Sequence, residues 1–128
     1  MSIHIVRLGY PRNAGEGLRI GTVRRPPRGV PKTEYASRNF YDVWLPDLAP
    51  SEALIKRIGP AEVKQHWRAF ARSYHMEMKQ PGQRRLLSLL AALSLQTNFA
   101  VGCYCADEVH CHRSILRELL TEQGAHCA

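Results

Sequence analysis

The sequence predicts a single small α/β domain over residues 1–128, with a mainly parallel central sheet flanked by helices. Three observations carry that expectation. Short alternating or apolar segments with strand character occur near residues 4–8, 18–23 and 99–104. Helical periodicity fills much of residues 51–95 and returns after residue 112. The last apolar strand runs through a short loop into a helix, the order that builds parallel sheets. At 128 residues and 45% hydrophobic content, the chain can bury a core without disulfides.

Taken in order, His4-Ile5-Val6-Arg7-Leu8 alternates like a strand and stops at Gly9-Tyr10-Pro11, a turn signal. Leu18-Arg19-Ile20-Gly21-Thr22-Val23 resumes the period of two and predicts a second strand. Three prolines and a glycine keep Arg24-Arg25-Pro26-Pro27-Arg28-Gly29-Val30-Pro31-Lys32 out of regular structure, so its cations sit on a stiff loop. Phe40 to Leu45 reads as an extended segment or third strand before Pro46. Ser51 is an N-cap for a short helix that Gly59-Pro60 ends.

From about Ala61 to Met78, Val63, Trp67, Phe70, Tyr74 and Met78 recur at steps of four, three, four and four, one face of an amphipathic helix. An aromatic stripe at that spacing reads as core. Pro81-Gly82 is expected to break the chain, and Gln83 to Leu95 to form a leucine-rich, buried helix. Phe99 to Tyr104 suits a central strand. His112 to Gln123 places Ile115, Leu116, Leu119 and Leu120 on one helix face, with Gly124 as its C′ residue.

No apolar run approaches a membrane span, and Met1-Ser2-Ile3-His4-Ile5-Val6-Arg7 lacks signal-peptide architecture. A cytoplasmic protein with no membrane partner is therefore expected. In that reducing environment clustered cysteines serve as ligands or reactive thiols more often than as bridges. The formal charge of +7 is uneven. Residues 1–40 hold Arg7, Arg12, Arg19, Arg24, Arg25, Arg28, Lys32 and Arg38 against only Glu16 and Glu34. An anionic small molecule or a nucleic acid would meet the chain there.

The chemistry concentrates in Cys103-Tyr104-Cys105-Ala106-Asp107-Glu108-Val109-His110-Cys111-His112-Arg113. Cys103 and Cys105 fall at a strand end, two apart, so an extended backbone would point both thiols to one face. Cys111 and His112 begin the next helix, where the dipole and unpaired N–H groups favour a thiolate and Arg113 adds to the effect. In α/β sheets ligands bind at this end of the strands.

Three readings of the segment stand open. Cys103, Cys105, Cys111 and His112 (or His110) could hold zinc, although the spacing is not that of a standard knuckle. Cys111 could be a reactive thiolate with Cys105 as resolving partner. Or these residues pack a strand–helix junction, with His112 capping and Arg113 pairing with an acid. A cysteine-dependent phosphatase loop is excluded. It needs five residues between cysteine and arginine, whereas Cys105 and Arg113 have seven between them and Cys111 and Arg113 one. A glycine-rich phosphate loop with lysine and a paired-histidine zinc-protease signature are both absent from the sequence.

These motifs together resemble the domain of unknown function (DUF) 488 family, whose members carry a Cys-His-Arg near the end. Pro27-Arg28-Gly29-Val30 followed by Lys32 resembles the Trp-Pro-Arg-Gly-Val-x-Lys stretch of its YeaO-like bacterial branch. So do Trp44-Leu45-Pro46-Asp47-Leu48-Ala49-Pro50-Ser51 with Leu54, and then Trp67, Phe70 and Tyr74. Pro26 stands where that pattern has tryptophan, and Arg24-Arg25 replaces its Asp-Arg-Leu entry. The likeness runs from about residue 3 to residue 122. It implies a fold rather than a reaction, and it puts the proline-arginine-glycine loop and the Cys-His-Arg segment in one small domain.

If Arg25, Arg28 and Lys32 fold over the strand end, they form a cationic pocket for an anionic or nucleotide-like ligand. As an enzyme, the chain would use Cys111 as nucleophile or ligand, His112 as base or ligand, and Arg28 and Arg113 as anion clamps, with Arg24, Arg25 and Lys32 binding. Asp47 would be an acid or a turn residue. As a binding module, residues 7–38 would contact nucleic acid, with steep salt dependence, and the cysteines would be structural.

Overall fold

The computed structural model describes residues 1–128. Four strands form one wholly parallel sheet: β1 (Ile3–Arg7), β2 (Leu18–Gly21), β3 (Val43–Trp44) and β4 (Phe99–Cys103), in the spatial order β1-β4-β2-β3. The last strand in sequence is thus central. It pairs with β1 from Ile3↔Phe99 to Arg7↔Cys103, and with β2 from Leu18↔Phe99 to Gly21↔Gly102. All five β4 residues are buried, as its continuous apolar character requires of a strand covered on both faces.

The helices α1 (Glu52–Arg57), α2 (Trp67–Met78), α3 (Pro81–Ser94) and α4 (His112–Glu122) supply the larger core. There Leu54, Phe70, Tyr74, Met78, Leu87, Leu90, Leu116 and Leu120 pack on Ile3, Ile20, Phe99 and Val101. Alternation along the strands turns Val6, Ala100 and Gly21 to the other face. A smaller core forms there with Tyr41, Leu8 and Val23, covered by the loop of residues 33–42. Gly21 is glycine because the Tyr41 ring lies on it: a Cβ would fall 2.3 Å from that ring. Gly17 combines φ +81° with an approach that would bring a Cβ 2.2 Å from the Asn98 carbonyl oxygen, so only glycine fits where β2 begins.

A buried ion pair locks the loops of the smaller face. Arg19 and Glu16 side chains are each 1% exposed and meet at 2.8 Å. The Arg19 guanidinium also donates to the carbonyls of Tyr10 and Asn39, and the Arg19 backbone N–H donates to Asp42 Oδ2. Burial alone would push the Glu16 carboxyl up, but hydrogen bonds from Arg19 and the Asn13 N–H outweigh it and hold the pKa below its ordinary value.

Three element boundaries differ from expectation. The chain from Pro60 to His66 is turn, and α2 starts at Trp67, although Val63 still reaches the core. Pro81 does not break the chain but opens α3, because proline at the first helical position lacks only an N–H that would be unpaired anyway. The third strand shrinks to Val43–Trp44, at the sheet edge. No helix is long and apolar enough to cross a membrane.

Candidate functional site

β4 delivers Cys103 as its last residue, and α4 begins with Cys111 as N-cap. The seven residues between them turn the chain back, so Cys103 Sγ and Cys111 Sγ lie 3.3 Å apart. Both are buried. His112 follows as the first helical residue, its Nδ1 3.7 Å from Cys111 Sγ and its Nε2 2.7 Å from the Thr22 carbonyl oxygen. A carbonyl can only accept, so Nε2 donates to it, and this fixes the ring with Nδ1 facing the sulfur. The Tyr74 ring stands edge-on to the imidazole at 5.5 Å, and Thr22 Oγ1 donates to the Gly102 carbonyl, tying β2 to β4 beneath the site.

The electrostatics divide the two thiols. Hydrogen bonding from Cys103, then from Cys105, and the adjacent His112 hold Cys111 well below the usual thiol range, against the opposing effect of burial. Hydrogen bonding with Cys105, then with Cys111, together with burial, pushes the Cys103 thiol up. At the amino end of α4, the helix dipole also favours charge on Cys111.

Cys103, Cys111 and His112 place one donor atom each within 4.8 Å of one another, a group that could hold a metal ion. Their N–H···carbonyl support at Thr22 is the kind that orients metal-bound imidazoles. Cys105 is not one of these three donors: β4 has ended, the side chain is exposed at the cleft beside Cys103 and Cys111, and its backbone N–H donates to Cys103 Sγ.

Arg113 is 3% exposed and faces no acid. It donates from Nη1 to the Val6 carbonyl at 2.9 Å and from Nη2 to the Cys105 carbonyl at 2.5 Å, fastening the cysteine loop to β1. The packing reading had given it an acidic partner and had given His112 the cap; Cys111 holds the cap position instead.

A cleft of about 280 Å³ opens over the thiols. Val23, Pro50, Ile55, Ile58, Val63 and Phe70 wall it, Cys103, Cys111 and His112 lie at its base, and Tyr104, Cys105 and His110 also line it. Arg24 and Arg25 border it. Arg24, however, donates to the carbonyls of Pro46, Ala49 and Pro50, and Arg25 pairs with Glu52 at 2.7 Å in an exposed contact. Arg28 and Lys32 do not line the cleft. Lys32 borders a separate hollow with Tyr35 and Trp44. Asp47 is exposed in a turn, its carbonyl receiving Gln83.

Two features of the site were not read from the sequence, the Thr22 contact and the Asp107–His110 pair. Thr22 contributes a backbone carbonyl, which any residue type has. His110, the alternative zinc ligand offered by the sequence, lies outside the three-donor group; Asp107 Oδ2 orients it at 2.8 Å from Nδ1, and it stands edge-on to Trp67 at 5.6 Å. That contact lowers the Asp107 carboxyl. An Asp-x-x-His spacing next to the cysteines could have suggested the pair. The Tyr104 hydroxyl donates to the Arg25 carbonyl, joining the cysteine loop to the basic loop.

Among curated proteins and among solved structures nothing matches the chain. Residues 3–124 match the family DUF488-N3a, described as the active DUF488-N3 subclade, and this span includes both loops and the Cys-His-Arg segment. The chain belongs to the DUF488 family.

Proposed function

We propose that the chain is a thiol-dependent enzyme that takes a small ligand into the cleft and acts on it through the Cys111 thiolate. The observation that carries this reading is the position of Cys111 Sγ, 3.3 Å from one thiol and 3.7 Å from an imidazole nitrogen, at the base of an apolar-walled cleft. Cys103 stabilises the anion, His112 accepts and returns the proton, and Arg113 holds the loop rather than clamping an anion. The description of the matched subclade as active accords with catalysis. Apolar walls suit a ligand with an apolar or planar body, while Arg24 and Arg25 at the border are engaged by the carbonyls of residues 46–50 and by Glu52. The phosphate-type clamp by Arg28 and Lys32 is not part of this proposal, since both lie away from the cleft.

A nucleic-acid module is less well supported. Of the eight basic residues in 1–40, Arg19 is buried with Glu16, Arg24 is spent on carbonyls, and Arg12, Arg25 and Arg38 pair with acids. Arg7 donates to the Tyr104 carbonyl and covers the Tyr10 ring. Only Arg28 and Lys32 remain without a side-chain partner.

A zinc site has one observation of its own in favour, the three soft donors within 4.8 Å. Metal content and thiol reactivity on one sample separate the two. The thiolate reading expects no stoichiometric metal and one thiol, Cys111, alkylated by iodoacetamide much faster than Cys103 and Cys127. Replacing Cys111 with serine should remove the fast phase and leave the circular dichroism spectrum unchanged. One zinc per chain, with Cys103 and Cys111 protected until a chelator is added, would overturn it in favour of the metal.

A further inference from the structure

We propose that Cys103 and Cys111 are a dithiol pair that exchanges with small organic disulfides, with Cys111 as the attacking sulfur and Cys103 as the resolving one. The proposal rests on the reading of Cys111 as the nucleophile and names the class of reaction. Its basis is geometric. The two sulfurs lie 3.3 Å apart and need to close to about 2.05 Å. Cys103 ends the central strand and Cys111 caps α4, and the two are joined by the irregular loop of residues 104–110.

The third thiol is placed differently. Cys105 is exposed beside the cleft, and its N–H donates to Cys103 Sγ, whereas the Cys103 and Cys111 sulfurs are both buried and in direct contact. The structure thus gives Cys103 the resolving position that the sequence offered to Cys105. Apolar walls at Val23, Ile55 and Phe70 suit a disulfide with small, uncharged substituents.

The steps balance. Cys111 thiolate attacks one sulfur of R–S–S–R; that bond breaks and the first RS⁻ leaves, taking a proton from the solvent. Cys111 is then in a mixed disulfide with R–S. Cys103 Sγ attacks Cys111 Sγ, its proton passing to the departing sulfur, and the second RSH leaves. The substrate disulfide is reduced to two thiols and the protein dithiol is oxidised to one disulfide.

The test treats reduced protein with bis(2-hydroxyethyl) disulfide and follows it by intact mass and peptide mapping, with iodoacetamide reactivity of Cys111 measured in parallel. Wild-type protein should pass through a transient adduct on Cys111 to a Cys103–Cys111 disulfide that dithiothreitol reopens. Cys103→Ser, which keeps a hydroxyl donor beside the thiolate, should accumulate the adduct on Cys111 and never close. Cys105→Ser should close like wild type. An adduct that persists on wild-type Cys111, or a disulfide mapped to Cys105, would overturn the proposal. So would the absence of any adduct while Cys111 alkylates rapidly; in each of these cases Cys111 still stands as the nucleophile. Slow alkylation of Cys111 would instead remove the underlying reading, and this proposal with it. The wild-type map decides the matter even if the Cys103 variant folds poorly.

Discussion

Arg19→Met should destabilise the domain by about 3–5 kcal/mol at neutral pH, the effect of removing one partner from a buried ion pair. Stabilities of domains this size lie at about 5–15 kcal/mol, so the variant should be partly unfolded near its growth temperature. The size of the effect comes from what is left behind. Glu16 stays fully buried with its charge unmatched, and the carbonyls of Tyr10 and Asn39 lose their donor. Urea unfolding followed by circular dichroism measures it.

The pH dependence of the same variant gives a second readout, of opposite sign to wild type. In the wild-type chain the folded Glu16 pKa lies below its ordinary value near 4.5. Its stabilisation is therefore complete above that value and is lost as pH falls through the folded pKa. Without Arg19, burial is unopposed, the folded pKa rises above the unfolded one, and acidification should stabilise the variant relative to neutral pH. Adding Glu16→Gln should recover part of the loss. A single variant within about 1 kcal/mol of wild type would show that the pair has no structural role.

Cys103→Ala should change the shape of the Cys111 alkylation profile. With Cys111 held well below the usual thiol range, the wild-type rate should be flat from about pH 6 to pH 9. Cys103 is the largest contributor to that state, ahead of Cys105 and His112. Its removal should make the rate climb about tenfold per pH unit toward the ordinary thiol range near 8.5. The rate at pH 7 is the weaker measure, because a thiolate of higher pKa is intrinsically more nucleophilic and offsets its smaller population. An unchanged flat profile would mean that His112 and the helix amino end suffice on their own.

Most of the fold was legible because its signals are local. Continuous apolar character marked β4 as central, and Ser51 caps α1 as its position suggested, its hydroxyl accepting the Leu54 N–H. The start of α2 was not legible, since the apolar spacing of Val63 fits a helix and a turn equally well. The convergence of Cys103, Cys111 and His112 followed from their positions at a strand end and a helix start. The fate of the basic loop did not, because the partners that occupy its cations, among them Glu52 and the carbonyls of residues 46–50, come from distant sequence. Arg19 looked like one more surface cation in an alternating strand. Its burial became apparent only when the sheet order placed it under the loop that ends at Tyr41.

The aromatic stack beside the cleft gives the chain an optical reporter of its own. Trp67 stands one side chain behind the cleft wall, stacked on Phe70 at 5.7 Å and edge-on to His110. A ligand entering over the thiols must press on the two residues that set the surroundings of this indole. The other tryptophan, Trp44, lies on the edge strand with its Nε1 donating to the Val23 carbonyl, and it borders a different hollow. Trp44 meets the cleft wall only through that carbonyl, so the Trp67 indole carries the larger response. Compounds can be screened for occupancy of the cleft before any reaction is known, without a label.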